Sequence, residues 1–386
     1  MFTFDPKSID LPGAGASDPA RFSVRPLPVS NNEIPSEHVA GSTVANLPGG
    51  ESVRFTRVKD SLIVGPSEAL VFLQGEGGTM YCVDSSLLPC IAPITFLPEV
   101  LSCPGMLLEP KERVLEDPAL FLAGQASRAP FHWPHDALTR LLAFERTGES
   151  ARILIPSYQA NSRFIVESLR LLGIAEDRIE YIHPNERIRA KELWLSEDLA
   201  PHDPKLNVLL EMLRTRMLEG AGCDPYRSRS LGQGRSVYIS RQGTPEKRGI
   251  QNADEFLELA QRYGFEEHRL ERLSVREQVR LAAETTRVLA PHGAGLFNTL
   301  YMPGGDVVEM FPIDSNGKDT NLPCWGRLLD AHASQGRSLS WRAIESAIIR
   351  SSDRELDKFL IIADLDKIEA CLRAPHSGST NVWTRV

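Results

Sequence analysis

Several things are scarce in this chain of 386 residues, and each scarcity removes a class of protein. Positive charge is outnumbered, with 43 Lys and Arg against 51 Asp and Glu for a net charge of -8. The basic face that a non-specific nucleic-acid binder needs to displace counterions is therefore not expected. No run of about 18 apolar residues occurs, so no transmembrane helix is expected. The start MFTFDPKSIDLPGAG has neither the basic segment nor the apolar stretch of a secretory leader. Cys82, Cys90, Cys103, Cys223, Cys324 and Cys371 are scattered, with no CxxC pair and no histidines at ligand spacing. That pattern argues against a disulfide framework or a zinc site, and for reduced thiols in a cytoplasmic protein.

What is present is globular. Hydrophobic residues make up 42% and charged residues 24%, values that support packed cores. The length suggests two domains. Residues 1–53, rich in Pro, Gly, Ser and Asn, are expected to form an extended arm or irregular cap. Residues 54–220 are expected to be a first α/β domain with a β-rich preface, whose short runs are Ser61–Val64, Ala69–Leu73 and Met80–Val83. Within it, Asp136 precedes an apolar helical face at Ala137, Leu138, Leu141, Leu142 and Phe144, a place where Asp commonly caps. Strand signals at Arg152–Ile155, Ile179–Ile182 and Glu186–Leu195 alternate with helices, one capped by Asn161 and ended by Gly173, another over Leu206–Leu218. Residues 221–235 lose periodicity and are expected to be a linker. Residues 236–340 repeat the strand–helix alternation, and residues 341–386 are expected to return toward the first domain as helices over Ser340–Ile349 and Asp366–Leu372.

The stretch RVLAPHGAGLFNTLYMPGGDVVEMFP, Arg287–Pro312, organises the second half. It predicts a strand ending at Pro291, a glycine turn at His292-Gly293-Ala294-Gly295, a short helix and a second strand carrying Glu309. A turn that presents N–H groups and a helix dipole suits a phosphate, although a tight corner needs glycine with no ligand present. Upstream, a strand over Ser236–Ile239 ends in Ser240-Arg241, and Arg241, Lys247 and Arg248 cluster in the loop after it. Loops after parallel strands line ligand crevices, and a guanidinium there can clamp a diphosphate at two points. Asn252 with Glu255, and Ser274 with Glu277, have capping-box spacing. The Asp364-Leu365-Asp366 triplet invites a metal reading, but its place before a helical run favours a cap.

HGAGLFN, together with YISR and VVEMFP, resembles the C-terminal region of glycosyltransferase family 61; the likeness is most specific over about 237–312 and weaker over about 131–197. The resemblance implies an inverting, metal-independent enzyme of GT-B type, with two Rossmann-like domains facing across a cleft. It implies no cofactor and a nucleotide-sugar donor, with a UDP-sugar as the leading expectation. It places Ser240, Arg241, Arg248, His292, Gly293, Ala294, Gly295 and Glu309 on the donor side, with Glu309 accepting hydrogen bonds from the ribose or base. Family members carry an HW or HH pair followed closely by Asp, which His132, Trp133 and Asp136 match, making Asp136 the general base and His132 its partner. Pro134-His135 replaces the usual apolar pair, and the Asn that often precedes the His is missing. The implied acceptor is a glycan or lipid-linked glycan in bacterial surface polysaccharide synthesis, reached from the cytoplasm or the inner face of the membrane. Two other classes are compatible with the motifs: a non-catalytic nucleotide- or glycan-binding protein, and another nucleotide-using enzyme such as an epimerase or phosphotransferase.

Overall fold

The computed structural model describes residues 23–28, 34, 36–64, 70–74, 79–84, 112–122, 130–157, 162–183, 186–197, 199, 203–227, 233–242, 249–313, 326–350, 359–374 and 383–385. The protein is mixed α/β and divides into two compact units, Met1–Leu213 and Arg214–Val386. The division falls inside the helix Pro204–Ala221, ahead of the 221–235 stretch expected as a linker.

In the first unit the strands are β1 (Ser23–Pro28), β2 (Val39–Asn46), β3 (Ser52–Val64), β4 (Leu70–Gln74), β5 (Thr79–Asp84), β6 (Glu112–Leu115), β7 (Ala119–Phe121), β8 (Arg152–Pro156), β9 (Ile179–Ile182) and β10 (Arg187–Ser196). They form one sheet in the order β1-β5-β4-β3-β10-β7-β8-β9, with β2 on β3 and β6 on β10. Its β10-β7-β8-β9 half is parallel, and β2 through β5 pair antiparallel. β8 reads Arg-Ile-Leu-Ile-Pro and buries its last four residues, as a strand covered on both faces must.

β1 and β2 correct the expectation of an irregular cap over 1–53. β2 pairs with β3 around a turn at Pro48-Gly49-Gly50, where both glycines take positive φ. Its sequence, VAGSTVAN, is small and polar because only one of its residues is buried, so it carries little strand signal.

A helical segment connects β7 to β8. It opens as a π-helix over Trp133–Leu138 and continues as an α-helix over Thr139–Glu145. Phe144 packs on Phe55 of β3 and Trp194 of β10 with ring centroids 5.2 and 5.7 Å away. Trp133 is fully buried and its indole donates to Ser168 Oγ at 2.9 Å, in the helix Arg163–Leu171.

The second unit contains β11 (Arg235–Ile239), β12 (Gly249–Ile250), β13 (Glu266–His268), β14 (Thr285–Pro291), β15 (Gly305–Ile313), β16 (Leu339–Arg350), β17 (Phe359–Ile361) and β18 (Trp383–Arg385). The parallel strands run β13-β11-β14-β15-β16, followed by antiparallel β17 and then β12, with β18 on β16. The chain therefore starts in the interior of the sheet at β11, steps outward to β13, and returns to the other side of β11 at β14. β11 and β14 are the strands between which the order reverses. Open α/β sheets bind ligands outside the carboxyl ends of such a pair.

The helices Ala253–Arg262 and Val275–Glu284 lie where the alternation placed them, and Ser274 with Glu277 forms the full reciprocal capping box. Asp364 caps the helix Leu365–Arg373 by accepting from the Lys367 N–H at 3.1 Å. Asn252 departs from its expected cap. Its amide donates to the Ala363 carbonyl and accepts from the Ala363 N–H, both at 2.9 Å, so the side chain holds β17's outgoing chain in place of the helix end.

Ser340–Ile349, expected as a helix, is instead the strand β16, in register with β15 from Leu339 opposite Gly305 to Ala347 opposite Ile313. Trp341, Ile344 and Ile348 sit three and four apart and imitate a helical face. Burial actually alternates at Leu339, Trp341 and Ala343 and then shifts phase at Ile344. A strand with one phase shift has no clean period, so only its pairing partner reveals it.

Candidate active site

The first unit holds a buried carboxylate between two imidazoles. Asp136 lies in the π-helical turn, so it does not cap the helix; the residue at that position is His132. Its Oδ2 meets His132 Nδ1 at 3.0 Å, and its Oδ1 is bonded to His135 Nδ1. His135 is buried and stacks on Phe131, with ring centroids 5.2 Å apart and planes 18° from parallel. A π-helical insertion is a common device for turning a side chain out of helical register at a functional site. Here the extra residue per turn lets one carboxylate reach the histidines at positions i−4 and i−1 together.

Burial pushes the Asp136 carboxyl up. The charge on His135, the hydrogen bonds from His132 and His135 and the charge on His132 outweigh it and hold the carboxyl well below the usual carboxylate range. The consequence for stability follows from linkage, because a group with a depressed folded value favours the folded state only when it is ionised. Its contribution is fully present above the unfolded carboxyl value of about 4 and is lost as pH falls below that toward the folded value. Asp136→Asn is expected to flatten the loss of thermal stability between about pH 4 and pH 2. An unchanged acid limb in a calorimetric pH series would contradict this.

A carboxylate held so low is a weak proton acceptor. The His132 ring is better placed to accept: Nδ1 faces the carboxylate and so carries a proton, which leaves Nε2 with the lone pair. The His132 side chain keeps 17% of its surface exposed, and its Nε2 has no hydrogen-bond partner among the described residues. Asp136 thus holds the His132 ring through Nδ1. His135, which looked like a departure from the motif, is the second anchor of Asp136. The sequence signal for it was polar: a histidine where the helical face asks for an apolar residue.

The second unit brings together the carboxyl ends of β11 and β14. A Cβ added to Gly293 would collide with the Arg241 guanidinium, so the glycine is there to let Arg241 lie against the turn. Gly293 itself has extended backbone, with φ 163°, and is not a strained position. A Cβ on Gly295 would come 3.2 Å from both Ile239 and Leu270, so this second glycine packs the turn onto β11 and the segment after β13. Ala294 opens the 3-10 helix Ala294–Tyr301.

That helix is tied down from two directions. Asn298 donates to the Gly295 carbonyl at 3.1 Å and to Gln278 Oε1 at 3.3 Å, while Gln278 donates to the Leu270 carbonyl at 2.9 Å. His332, fully buried in the helix Gly326–Ala333, meets the Thr299 carbonyl through Nε2 at 2.9 Å and accepts from Arg337 through Nδ1 at 3.3 Å. Burial pushes His332 down to about 3, so it is neutral and acts as a fixed spacer.

Two expected donor-side residues are placed differently from the expectation. Glu309 is 0% exposed, with Oε1 on His292 Nδ1 at 2.6 Å and Oε2 accepting from Trp341 Nε1 at 2.8 Å. Both carboxylate oxygens are thus engaged inside the protein, and Glu309 holds His292. Ser240 is buried at the end of β11, where its N–H donates to the His268 carbonyl at 2.9 Å and its hydroxyl receives the Gln242 N–H at 3.3 Å. It shapes the turn that delivers Arg241. Arg248 and Lys247 lie outside the described residues. Among the described residues no group of three or more His, Cys, Asp or Glu could hold a metal ion, and no helix is long and apolar enough to cross a membrane.

The family model for Glycosyltransferase 61 matches residues 131–308. The matched span begins at Phe131, beside the His132–Asp136 pair, and ends within β15 at Val308, one residue before Glu309. No curated protein matches the chain.

Proposed function

We propose, from the match of residues 131–308 to the family model for glycosyltransferase family 61, that the protein is a member of that family and transfers a sugar from a nucleotide-sugar donor, a UDP-sugar in the first instance, to a hydroxyl of a glycan or lipid-linked glycan. In this reading its two α/β units are the two domains of a GT-B enzyme, the second binding the donor and the first supplying the base. The reaction is a single displacement with inversion. The acceptor O–H gives its proton to His132 Nε2 as the oxygen attacks the anomeric carbon, and the bond from that carbon to the donor phosphate oxygen breaks with its electron pair on the departing nucleoside diphosphate. Asp136 holds the His132 tautomer and offsets the charge the ring acquires. Arg241, Gly293, Ala294 and Gly295, with His292, receive the diphosphate and the charge growing on it, so the mechanism calls for no metal or other cofactor. Arg248, in the same loop sequence, would add a second cation. The acceptor class fits synthesis of a bacterial surface polysaccharide at the cytoplasmic side of the membrane.

The observation that carries this reading is the convergence of Arg241 on the Gly293 turn at the strand-order reversal. A base held as a histidine–carboxylate pair supports a transferase over a non-catalytic binding protein. The test is a thermal-shift series with UDP, GDP, CMP and dTDP, with and without magnesium. One nucleotide at 100 times its dissociation constant is expected to stabilise the protein by about 2.7 kcal/mol whether or not magnesium is present. A shift that requires magnesium would overturn the metal-independent mechanism, and no shift with any of the four would overturn the donor site.

A further inference from the structure

His292 is held by two residues that no donor would touch. Glu309 and Trp341 are both 0% exposed, and they stand on adjacent parallel strands, β15 and β16. The chain of contacts has a direction that the chemistry of its last member imposes. An indole N–H can only donate, so the Trp341 contact at 2.8 Å requires an acceptor oxygen at Oε2. The carboxylate then offers its other oxygen to His292 Nδ1 at 2.6 Å, which requires a proton on Nδ1. With Nδ1 committed to Glu309, any contact between His292 and a ligand runs through Nε2. Phe311, 5.3 Å from the imidazole centroid and 79° from its plane, adds an edge-on contact that limits ring rotation.

The geometry points to Trp341 and Glu309 as positioning residues: they hold a proton on His292 Nδ1 and fix the ring's orientation, so that a contact with the donor's diphosphate is an Nε2–H bond given by the doubly protonated ring. The purpose of the relay rests on the donor-site reading above, but the relay itself does not. Its distinguishing consequence concerns the amide variant. In Glu309→Gln the side chain has one oxygen and one NH2, and Trp341 claims the oxygen. The NH2 then faces Nδ1, which must accept, and the proton moves to Nε2. A residue that merely filled space would leave the ring tautomer where it was.

The experiment is 15N NMR of the histidine-labelled full chain, with His292 assigned by comparison with His292→Gln. Wild type is expected to show Nδ1 protonated, and Glu309→Gln to show Nδ1 unprotonated. An unprotonated Nδ1 in wild type, or no switch in Glu309→Gln, overturns the relay. Where Glu309→Gln does not fold, the wild-type spectrum decides. Addition of UDP, GDP, CDP or dTDP to the wild type is expected, for the nucleotide that binds, to move the Nε2 resonance more than Nδ1. Binding that leaves Nε2 unmoved overturns Nε2 as the contact. Tautomers that behave as expected with no nucleotide bound sustain the relay and overturn the donor site.

Discussion

His132→Gln is expected to lower turnover by about 10²- to 10⁴-fold, the usual contribution of a positioned general base, while nucleoside diphosphate binding stays within about twofold of wild type, since a twofold change is under 0.5 kcal/mol. Glutamine keeps a polar group near Asp136 Oδ2 but has no basic nitrogen to take the acceptor's proton. The relevant measurement is release of nucleoside diphosphate from the matching nucleotide sugar, set beside calorimetric binding of the product nucleotide. Asp136→Asn separates the two possible bases. If His132 accepts the proton and Asp136 orients it, both variants lose most of their turnover, and neither changes nucleotide affinity. If the carboxylate itself were the base, Asp136→Asn would be inactive while His132→Gln kept more than about a tenth of the wild-type rate, less than 1.4 kcal/mol of barrier. The depressed Asp136 carboxyl, bonded at both oxygens, is the reason for expecting the first outcome.

Arg241→Ala is expected to weaken nucleoside diphosphate binding by about 10- to 100-fold, because hydrogen bonds to a charged group are worth roughly 1.5–3 kcal/mol. A nucleotide concentration that stabilised the wild type by about 2.7 kcal/mol would stabilise a variant with 30-fold weaker binding by only about 0.9 kcal/mol. Lysine should not restore the loss, since an ammonium lacks the planar two-point fork that matches a phosphate. Gly293→Ala should imitate the effect from the other side, by driving the guanidinium off the turn without removing it. Retention of the full nucleotide shift in both variants would show that the turn at His292–Gly295 is a structural corner.

Much of the second unit was legible in local sequence. The capping box at Ser274, the cap at Asp364, the glycine turn after Pro291 and the strand over Val307–Phe311 are each specified by residues within a few positions of one another. Capping, turn and run-length signals are local physics, so a short window contains them. β16 was not legible in this way. Its helical spacing is an accident of one phase shift, and the hydrogen bonds that make it a strand come from β15, some 34 residues earlier. β2 was missed for a related reason, since a strand reading VAGSTVAN, with one buried residue, has little apolar alternation to detect.

The candidate site divides along the same line. The sequence by itself singled out the candidate residues: a His and an Asp within one helical turn, an Arg at the end of one strand, and a His-Gly-Ala-Gly turn at the end of another. It did so because those residue types have few reasons to occur together in an apolar helix start or a tight corner. Only the tertiary structure decided what each of them faces. The π-helical turn gave Asp136 two imidazoles, and the register of β15 against β16 buried Glu309 between His292 and Trp341. Hydrogen bonding and burial depend on partners distant in sequence, and the role of an ionisable side chain is set by those partners more than by its own identity.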